Sequence, residues 1–360
     1  MKRILKTIGL LVGLVVGLAV VGIGKFLVDS GQFTELHPHF EGTCTSLALA
    51  KGSSEDIVID HAAGFAYLSV LDRKSLMRNP ELDGAIERID LKADTWTVEP
   101  ALESGPSDLH PHGMSLYVGP DGAKKLFVIS HPHNKPHTIE IFDATEDGKW
   151  KHAATVRDTL FVKPNDLAAV GPNQFYVAND SGAKNGFDRA TEMMLGRQLS
   201  TLAYYNGDKG MPAVVDMTGA GGIAVSADGS TVWVAETAAK RIQVYGRDAA
   251  GGSLTPVRVI PLAGGPDNID VAPDGSLWVA AHANTLALAK HFAAGAPAPT
   301  QILHIEDPAS AAPKVTEVYL NEGEQFSAGS VAAVYKNKMI LGSITEKKLL
   351  VCTLPGAKTE

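Results

Sequence analysis

Several common functional signals are missing from this chain of 360 residues. No basic cluster follows the first six residues and the net charge is −8, so the electrostatic footprint of a nucleic-acid-binding protein is absent and no nucleic acid partner is expected. The G-x-S-x-G turn that presents a nucleophilic serine is also absent. After the N-terminal segment, long runs with helical periodicity are almost missing, and short apolar segments take their place.

The N-terminal segment is basic and then strongly apolar. Lys2, Arg3 and Lys6 precede "IGLLVGLVVGLAVVGIG", about 17 uncharged residues. This length favours a retained membrane anchor over a cleaved signal peptide, and no cysteine follows that could carry a lipoprotein anchor. With the basic flank in the cytoplasm, the remainder is exported. The sequence therefore predicts a membrane-bound helix over 1–30 and a periplasmic or extracellular domain over 31–360.

Cysteine is scarce, with only Cys44 and Cys352 near opposite ends of the exported part. They are either two buried free thiols or one disulfide. In an oxidising compartment the disulfide is favoured, because closing a loop of about 300 residues removes much conformational entropy from the unfolded chain. Such a bond would join the first strand of the domain to the last, as a closed ring of repeats requires.

Short apolar strand cores recur along the domain between Gly, Pro, Asp and Asn residues. Their spacing is roughly 45 to 62 residues, enough for about four strands in each unit. Six such units predict an all-β fold, a six-bladed β-propeller, with an open solenoid as the alternative. The cores are "GFAYLSV" at 64, "KLFVIS" at 125, "QFYVAN" at 174, "TVWVAE" at 231, "SLWVAA" at 276 and "KMILGS" at 338.

A pair of polar or small residues stands about eight to thirteen residues before each core and leads directly into an apolar strand. In a propeller the innermost strand of every blade lines the central channel, so equivalent positions of six blades converge near the axis. The pairs are Glu55 with Asp56, His112 with Gly113, Asn165 with Asp166, Gly221 with Gly222, Asp267 with Asn268, and Gly329 with Ser330.

The acidic members of these pairs predict a cation site. Four converging carboxylates repel one another unless a cation neutralises them. Together with the two amides they offer only oxygen ligands, which suit Ca²⁺ better than zinc. Taken singly, each Asp or Asn could instead cap a turn and bond the backbone at a strand start. Because the members of the set stand at equivalent positions of the repeats, the calcium site is favoured over separate turn caps.

Histidines cluster in "LHPHG" and "ISHPHNKPH". A zinc cluster of these imidazoles is one interpretation, although the spacings match no standard zinc motif. A solvated loop is the simpler interpretation for His133 and His137. His112 differs because it occupies the axial position of its blade, and His131 ends the next strand core. Two imidazoles beside a cation could activate water, one accepting the proton and the other orienting the first.

These segments resemble the paraoxonase (arylesterase/lactonase) family. The resemblance runs from Cys44 to Leu354 and is carried by "HPHGMSLYV", "LFVISHP", "KPNDLAAVGPNQFYVAND", "GPDNIDVAPDGSLWVAAH" and "GSVAAVYKNKMILGSI". It implies a six-bladed propeller with two calcium ions in the channel. The implied ligands of the catalytic ion are Glu55, Asn165, Asp267 and Asn268. Those of the structural ion are Asp56, Asp166 and the main-chain carbonyl of Met114.

The resemblance also implies a catalytic dyad of His112 and His131 and a disulfide between Cys44 and Cys352. Two positions depart from the family pattern. The family's "ANGI" is "AGGI" here, so Gly221 replaces an asparagine ligand of the catalytic ion, and Ala281 replaces a free cysteine.

The resulting expectation is a membrane-anchored, calcium-dependent hydrolase of small-molecule lactones and aryl esters. The calcium polarises the substrate carbonyl, and His112, assisted by His131, activates the attacking water. A sugar lactonase of the gluconolactonase type is a second enzymatic interpretation. A non-catalytic propeller that binds a partner through its loops is the alternative from another class.

Overall fold

Short strands joined by tight turns form six sheets in the computed structural model, which describes residues 2–76 and 78–356. Within four of the sheets, the strand nearest the axis comes first along the chain and later strands lie progressively further out; in the other two sheets an additional outermost strand precedes the inner strand in the chain. Consecutive strands of a blade are antiparallel, so most of them are joined by short connections.

The first strand of the chain, β1 (Thr43–Ala48), lies in the last blade and is described with it below. The strands of blade 1 are β2 (Ser53–Asp60), β3 (Phe65–Leu71), β4 (Ala85–Asp90) and β5 (Val98–Pro100). Those of blade 2 are β6 (Leu102–Ser104), β7 (Pro111–Val118), β8 (Lys124–Ser130), β9 (Thr138–Ala144) and β10 (Trp150–Val156). Those of blade 3 are β11 (Pro164–Gly171), β12 (Gln174–Asn179), β13 (Ser200–Tyr205) and β14 (Gly210–Met217).

Blades 4 to 6 repeat the same order. The strands of blade 4 are β15 (Ala220–Val225), β16 (Thr231–Glu236), β17 (Arg241–Arg247) and β18 (Leu254–Pro261). Those of blade 5 are β19 (Gly265–Val271), β20 (Leu277–His282), β21 (Thr300–Glu306) and β22 (Lys314–Asn321). Those of blade 6 are β23 (Gly329–Tyr335), β24 (Lys338–Ser343), β25 (Lys348–Thr353) and β1 as the outermost strand.

Four α-helices accompany the sheets within the described residues: α1 (Lys2–Asp29), α2 (Arg73–Leu76), α3 (Gly186–Leu195) and α4 (Thr285–Ala294). A 3₁₀ turn covers Thr237–Ala239. The N-terminal helix α1 contacts α3. Over the part of the chain that the structure describes, no helix combines the length and hydropathy of a membrane-spanning helix.

All six predicted strand cores are the second strands of their blades, β3, β8, β12, β16, β20 and β24. Each is buried on both faces because it lies between two neighbouring blades. On β12, Phe175 and Val177 pack toward blade 2, whereas Tyr176 and Ala178 pack toward blade 4. A strand covered on both faces needs apolar residues at consecutive positions, which is why these cores read as continuous apolar runs.

The ring is closed, so the open solenoid is wrong. Each inner strand contacts the next, and the last of them, β23, contacts β2. The outermost strand β1 pairs with β25, with Cys44 opposite Cys352, and the two cysteines form a disulfide. The bond links residues 308 positions apart, so a single covalent bond and a strand pairing together close the propeller.

Every inner strand carries a β-bulge near its start, at the polar or small pair singled out in the sequence. A bulge places two residues opposite one on the partner strand and interrupts the alternation of faces. Two consecutive side chains can then turn toward the axis. The bulges lie between Ser54 and Ile57, Pro111 and Met114, Pro164 and Asp166, Ala220 and Ile223, Pro266 and Ile269, and Gly329 and Val331.

Candidate active site

The six bulges bring the polar pairs together at one end of the channel. Asn268 Nδ2 of blade 5 donates to Glu55 Oε1 of blade 1 at 2.9 Å. Ser330 Oγ of blade 6 donates to the main-chain carbonyl of Glu55 at 2.6 Å. Residues 213 and 275 positions apart in sequence therefore meet around one glutamate.

Two aspartates tie neighbouring inner strands through the backbone. Asp56 Oδ2 accepts from the Met114 amide at 2.6 Å, linking blade 1 to blade 2. Asp166 Oδ2 accepts from the Ile223 amide at 2.8 Å, linking blade 3 to blade 4. Hydrogen bonds between amides and carboxylates are stronger than those between neutral groups, so these contacts fix the relative position of the inner strands.

Three of the pairs contain glycine, and in two of these three adjacent inner strands approach closely. A Cβ atom at Gly113 would lie 2.6 Å from Asp166 Oδ1, and one at Gly222 would lie 2.3 Å from the Asp267 carbonyl oxygen. Both distances are well below a van der Waals contact, so any larger residue would force the strands apart. The glycines thus allow the acidic pairs of the next blade to reach the axis.

The carboxylates of this ring are buried and close enough to repel one another. Burial raises the pKa of Asp56, and the charge of Glu55 raises it further. Burial likewise raises the pKa of Asp166, with Asp56 as the next contributor. Burial also acts upward on the pKa of Glu55, but His112, Arg73 and Asn268 together outweigh it, so that pKa is lowered.

Asp267 has a specific partner. Its Oδ2 lies 3.0 Å from His282 Nε2, a buried histidine at the end of β20. Burial raises the pKa of Asp267, and the contact with His282 opposes this rise. His282 was not singled out in the sequence, although it follows Asp267 by fifteen residues and terminates a strand core, as His131 does in blade 2.

Three oxygens at this end of the channel are buried and accept no hydrogen bond from the described residues. They are Glu55 Oε2, Asn165 Oδ1 and Asn268 Oδ1. An unpaired buried acceptor costs about 1–3 kcal/mol, and three in one place need a common partner. A hard cation with oxygen ligands fits this donor set. Counting only His, Cys, Asp and Glu among the described residues, no group of three or more forms a metal site.

The predicted histidine pair is in contact. His112 Nε2 lies 3.5 Å from Glu55 Oε2, and His112 Nδ1 lies 2.8 Å from His131 Nε2. Burial lowers the pKa of His131, and the neighbouring His112 and His137 lower it further. Because its environment disfavours a positive charge, His131 is suited to orient His112 and to hold an additional proton only transiently.

His137 differs from the expectation of a solvated loop residue. Its Nδ1 lies 2.8 Å from His131 Nδ1, and the two rings meet edge to face with centroids 4.6 Å apart. His133 does remain in the loop, where its Nε2 contacts the side-chain amide of Asn134. His110 is buried and places Nδ1 2.9 Å from the His131 carbonyl oxygen.

Arg73 is a further residue of the site that the sequence did not reveal. It begins the short helix α2 and donates through Nη2 to the Pro111 carbonyl at 2.9 Å. Its Nη1 is buried and has no partner among the described residues. Burial lowers the pKa of Arg73, while Glu55, Asp267 and Asp56 act upward. No local pattern around "LDRKSL" distinguishes this arginine from an ordinary exposed one.

The two departures from the family pattern have different surroundings. A Cβ at Gly221 would lie 2.9 Å from Thr237 Oγ1 and 3.7 Å from Asp267 Oδ1, so the threonine hydroxyl already occupies space beside the ring. Thr237 Oγ1 donates to the Pro266 carbonyl at 2.7 Å. Ala281 is fully buried in the apolar layer between blades 4 and 5.

A comparison with protein families decides the relationship, since the family model described as Arylesterase matches residues 55–354. The chain belongs to the arylesterase family. Serum paraoxonase/arylesterase 1 of Rattus norvegicus is 32% identical over 357 residues, covering 96% of this chain and 98% of the relative. Serum paraoxonase/arylesterase 1 of Homo sapiens is 35% identical over 280 residues, covering 75% and 77%.

A lactonase is among the relatives of this arylesterase-family chain. Serum paraoxonase/lactonase 3 of Homo sapiens is 30% identical over 353 residues, covering 94% of this chain and 99% of the relative. Family membership therefore supports an enzyme that hydrolyses carboxylic esters and lactones.

Solved structures of low sequence identity share the propeller fold with this family member. A luciferin-regenerating enzyme aligns with a TM-score of 0.52 at 14% identity, over 88% of this chain and 98% of the other. A calcium-binding protein, regucalcin, from Agrobacterium tumefaciens aligns with a TM-score of 0.51 at 12% identity, over 88% and 95%. At such identities the likeness concerns the fold alone.

Proposed function

We propose that this chain is a calcium-dependent hydrolase of lactones and aryl esters. The observation that carries the proposal is the set of three buried, unpartnered oxygens of Glu55, Asn165 and Asn268 beside a pair of contacting imidazoles. The family supplies the class of reaction, and the donor set fits a hard divalent cation.

The proposed ligands divide between two ions. When bound, calcium would polarise the substrate carbonyl and stabilise the oxyanion that develops on it. The catalytic ion would be held by Glu55, Asn165, Asp267 and Asn268. The structural ion would be held by Asp56, Asp166 and the carbonyl of Met114.

His112 is the proposed general base. Its Nδ1 faces His131, so Nε2 is the nitrogen available to take a proton from water. Glu55 lies 3.5 Å from Nε2 and stabilises positive charge on the ring. His131 orients His112 through the 2.8 Å contact and fixes which nitrogen carries the proton in the resting state.

Hydrolysis of a γ-lactone, a δ-lactone and phenyl acetate by the purified chain tests the proposal. We expect turnover that EDTA abolishes and that added calcium restores. Turnover that survives EDTA would remove calcium from the mechanism. A preference for polar aldonolactones would favour the gluconolactonase-type alternative, and no turnover on any ester would favour a binding module.

We also propose that the chain is exported and held at a membrane through α1, with its catalytic domain outside the cytoplasm. The disulfide Cys44–Cys352 is of the kind that persists in oxidising compartments. Apolar side chains are exposed both on α1, as Leu10 is, and on the contacting helix α3, as Phe187 is. Fractionation of cells expressing the full chain and a chain without residues 1–30 tests this. We expect only the full chain in the membrane fraction, and equal distribution would contradict the proposal.

A further inference from the structure

Three imidazoles form a continuous chain that begins at the channel and ends in a surface loop. His112 Nδ1 is 2.8 Å from His131 Nε2, and His131 Nδ1 is 2.8 Å from His137 Nδ1. Each contact joins ring nitrogens at hydrogen-bond distance. The ring planes are steeply inclined, at 76° for the first pair and 90° for the second, so neither contact is a stacking interaction.

The outer end of this chain is open to solvent. His137 is partly exposed and its Nδ1 contact with His131 is its one hydrogen bond within the described residues. Its Nε2 is therefore free to exchange a proton with water or buffer. Among the charged groups that act on His137, Lys163 and His112 both disfavour its protonated form, in addition to burial, which is the largest cause of its lowered pKa.

Ester hydrolysis near neutral pH requires such an exit. The attacking water gives up a proton and the departing alcohol regains one, so in every turnover a proton must leave the reacting centre and return to it. On the inner side, His112 Nε2 faces the buried Glu55, so the other ring nitrogen is the one directed toward the outside. We propose that His137 is the outer member of a three-histidine relay that moves this proton from His112 to solvent and back. The inference rests on the proposed hydrolase function.

The relay balances at every nitrogen. In the resting state His112 and His131 carry their protons on Nδ1, and His137 carries its proton on Nε2. When His112 Nε2 accepts a proton from the attacking water, its Nδ1 proton passes to His131 Nε2. The His131 Nδ1 proton passes to His137 Nδ1, and the Nε2 proton of His137 is released. The leaving alkoxide then takes the proton now on His112 Nε2 while the same transfers run inward, with His137 Nε2 accepting a proton from solvent, so that every ring regains its resting proton. The carboxylic acid product ionises as it is released and accounts for the net proton of the reaction.

The loop offers a matched control for this role. His133 lies in the same segment, but its Nε2 contacts the Asn134 side chain and it takes no part in the chain of imidazoles. His133→Ala therefore removes an imidazole of equal size from the same loop while leaving the relay intact. His137→Ala removes the outer member and opens space that a small buffer base can enter.

Turnover of phenyl acetate in weak buffer, followed by addition of imidazole, tests the relay. We expect His137→Ala to lower kcat by about tenfold, less than the roughly 10²–10⁴-fold contribution of a general base, and to leave KM unchanged. Imidazole should restore kcat of His137→Ala in a saturable manner and have no effect on His133→Ala or the unsubstituted chain. A kcat that is unchanged in His137→Ala, or lowered but insensitive to imidazole, would overturn the relay.

A second measurement separates failure of the relay from failure of the proposed function. In protein labelled with ¹⁵N-histidine, the Nδ1 resonance of His131 should report a hydrogen bond that is lost in His137→Ala and retained in His133→Ala. An unsubstituted chain that shows this hydrogen bond but hydrolyses no ester would refute the hydrolase function. A chain that hydrolyses esters but shows no His131–His137 hydrogen bond would refute the relay alone.

Discussion

The two ends of each inner strand differ in the kind of side chain they bury: polar side chains at the bulge, and apolar side chains in the regular part that follows. In β2 the bulge turns both Glu55 and Asp56 to polar partners on other blades. Only one residue later the regular ladder resumes, and Ile57 and Ile59 pack into the apolar layer between blades 1 and 6. The contrast recurs in β19, where Asp267 gives way to Ile269.

Along a single strand, the residues that stabilise the fold are therefore different from the residues that form the candidate active site. Regular pleating sends alternate side chains into the layers between blades, where close packing stabilises the ring. The bulge interrupts this alternation and places polar side chains at the axis, where they find polar partners that the apolar layers do not offer. Substitution of an axial side chain that bonds no neighbouring inner strand's backbone, such as His112, should therefore change turnover with little effect on folding, and substitutions in the layers should do the reverse.

The largest effect is expected at the bulge of blade 2. His112→Gln should lower kcat/KM by roughly 10²–10⁴-fold, because glutamine cannot accept a proton from water. Its thermal midpoint should stay close to that of the unsubstituted chain. Steady-state hydrolysis of phenyl acetate and a thermal melt check both parts. Near-normal turnover would show that another base acts, and it would contradict the assignment of the chemistry to the bulges.

The apolar layers should behave in the opposite way. Phe175 on β12 is fully buried and its ring lies 5.6 Å from that of Phe127 on the neighbouring blade. Phe175→Ala should reduce the free energy of unfolding by about 3–5 kcal/mol through the cavity it leaves. Urea denaturation measures this loss. The kcat of the folded fraction should not change, and a large fall in kcat would show that the layers also control the chemistry.

Ring closure should have an effect of slightly smaller size. Replacing both Cys44 and Cys352 by alanine should cost about 2–5 kcal/mol of unfolding free energy, since the bond restricts a very long loop in the unfolded chain. A reduced and alkylated sample of the unsubstituted chain serves as a check on the substitutions. If both preparations unfold at the same urea concentration as the oxidised chain, the pairing of β1 with β25 closes the ring alone.

The smallest effect is expected where the family pattern is broken. Asparagine at Gly221 would add a ligand beside Asp267, but its Cβ would meet Thr237 Oγ1 at 2.9 Å. Gly221→Asn alone should therefore change calcium affinity by less than about tenfold, or about 1.4 kcal/mol. Gly221→Asn combined with Thr237→Ala should bind calcium more tightly than Thr237→Ala alone, as measured by calorimetry. No difference between these two would exclude position 221 from the ion site.

The repeat pattern made much of this arrangement predictable. Six polar or small pairs at equivalent positions of the repeats locate the inner strands. The second strand of each blade is visible in the sequence as an apolar run. The pair Asp267 and Asn268 could be placed at the axis because β-strand register is fixed by the buried layer that follows. The disulfide between Cys44 and Cys352 was favoured over two free thiols, and it is present.

Residues outside the repeat could not be predicted in the same way. His137 lies in a loop whose path depends on long-range contacts, so neither strand nor helix periodicity relates it to His131. Arg73 reaches the ring only because α2 folds back over blade 1 to the carbonyl of Pro111. Such positions are set by tertiary structure, so neighbouring sequence carries no sign of them.

The pairing of β1 with β25 also has a consequence for biosynthesis. During translation β1 leaves the ribosome early, and its partner follows more than 300 residues later. Until then both the edge of β1 and the thiol of Cys44 lack their partners, and an unpaired edge is a template for association with other chains. Completion of the last blade must therefore follow synthesis of nearly the whole polypeptide, and the nascent chain needs protection from aggregation over that interval.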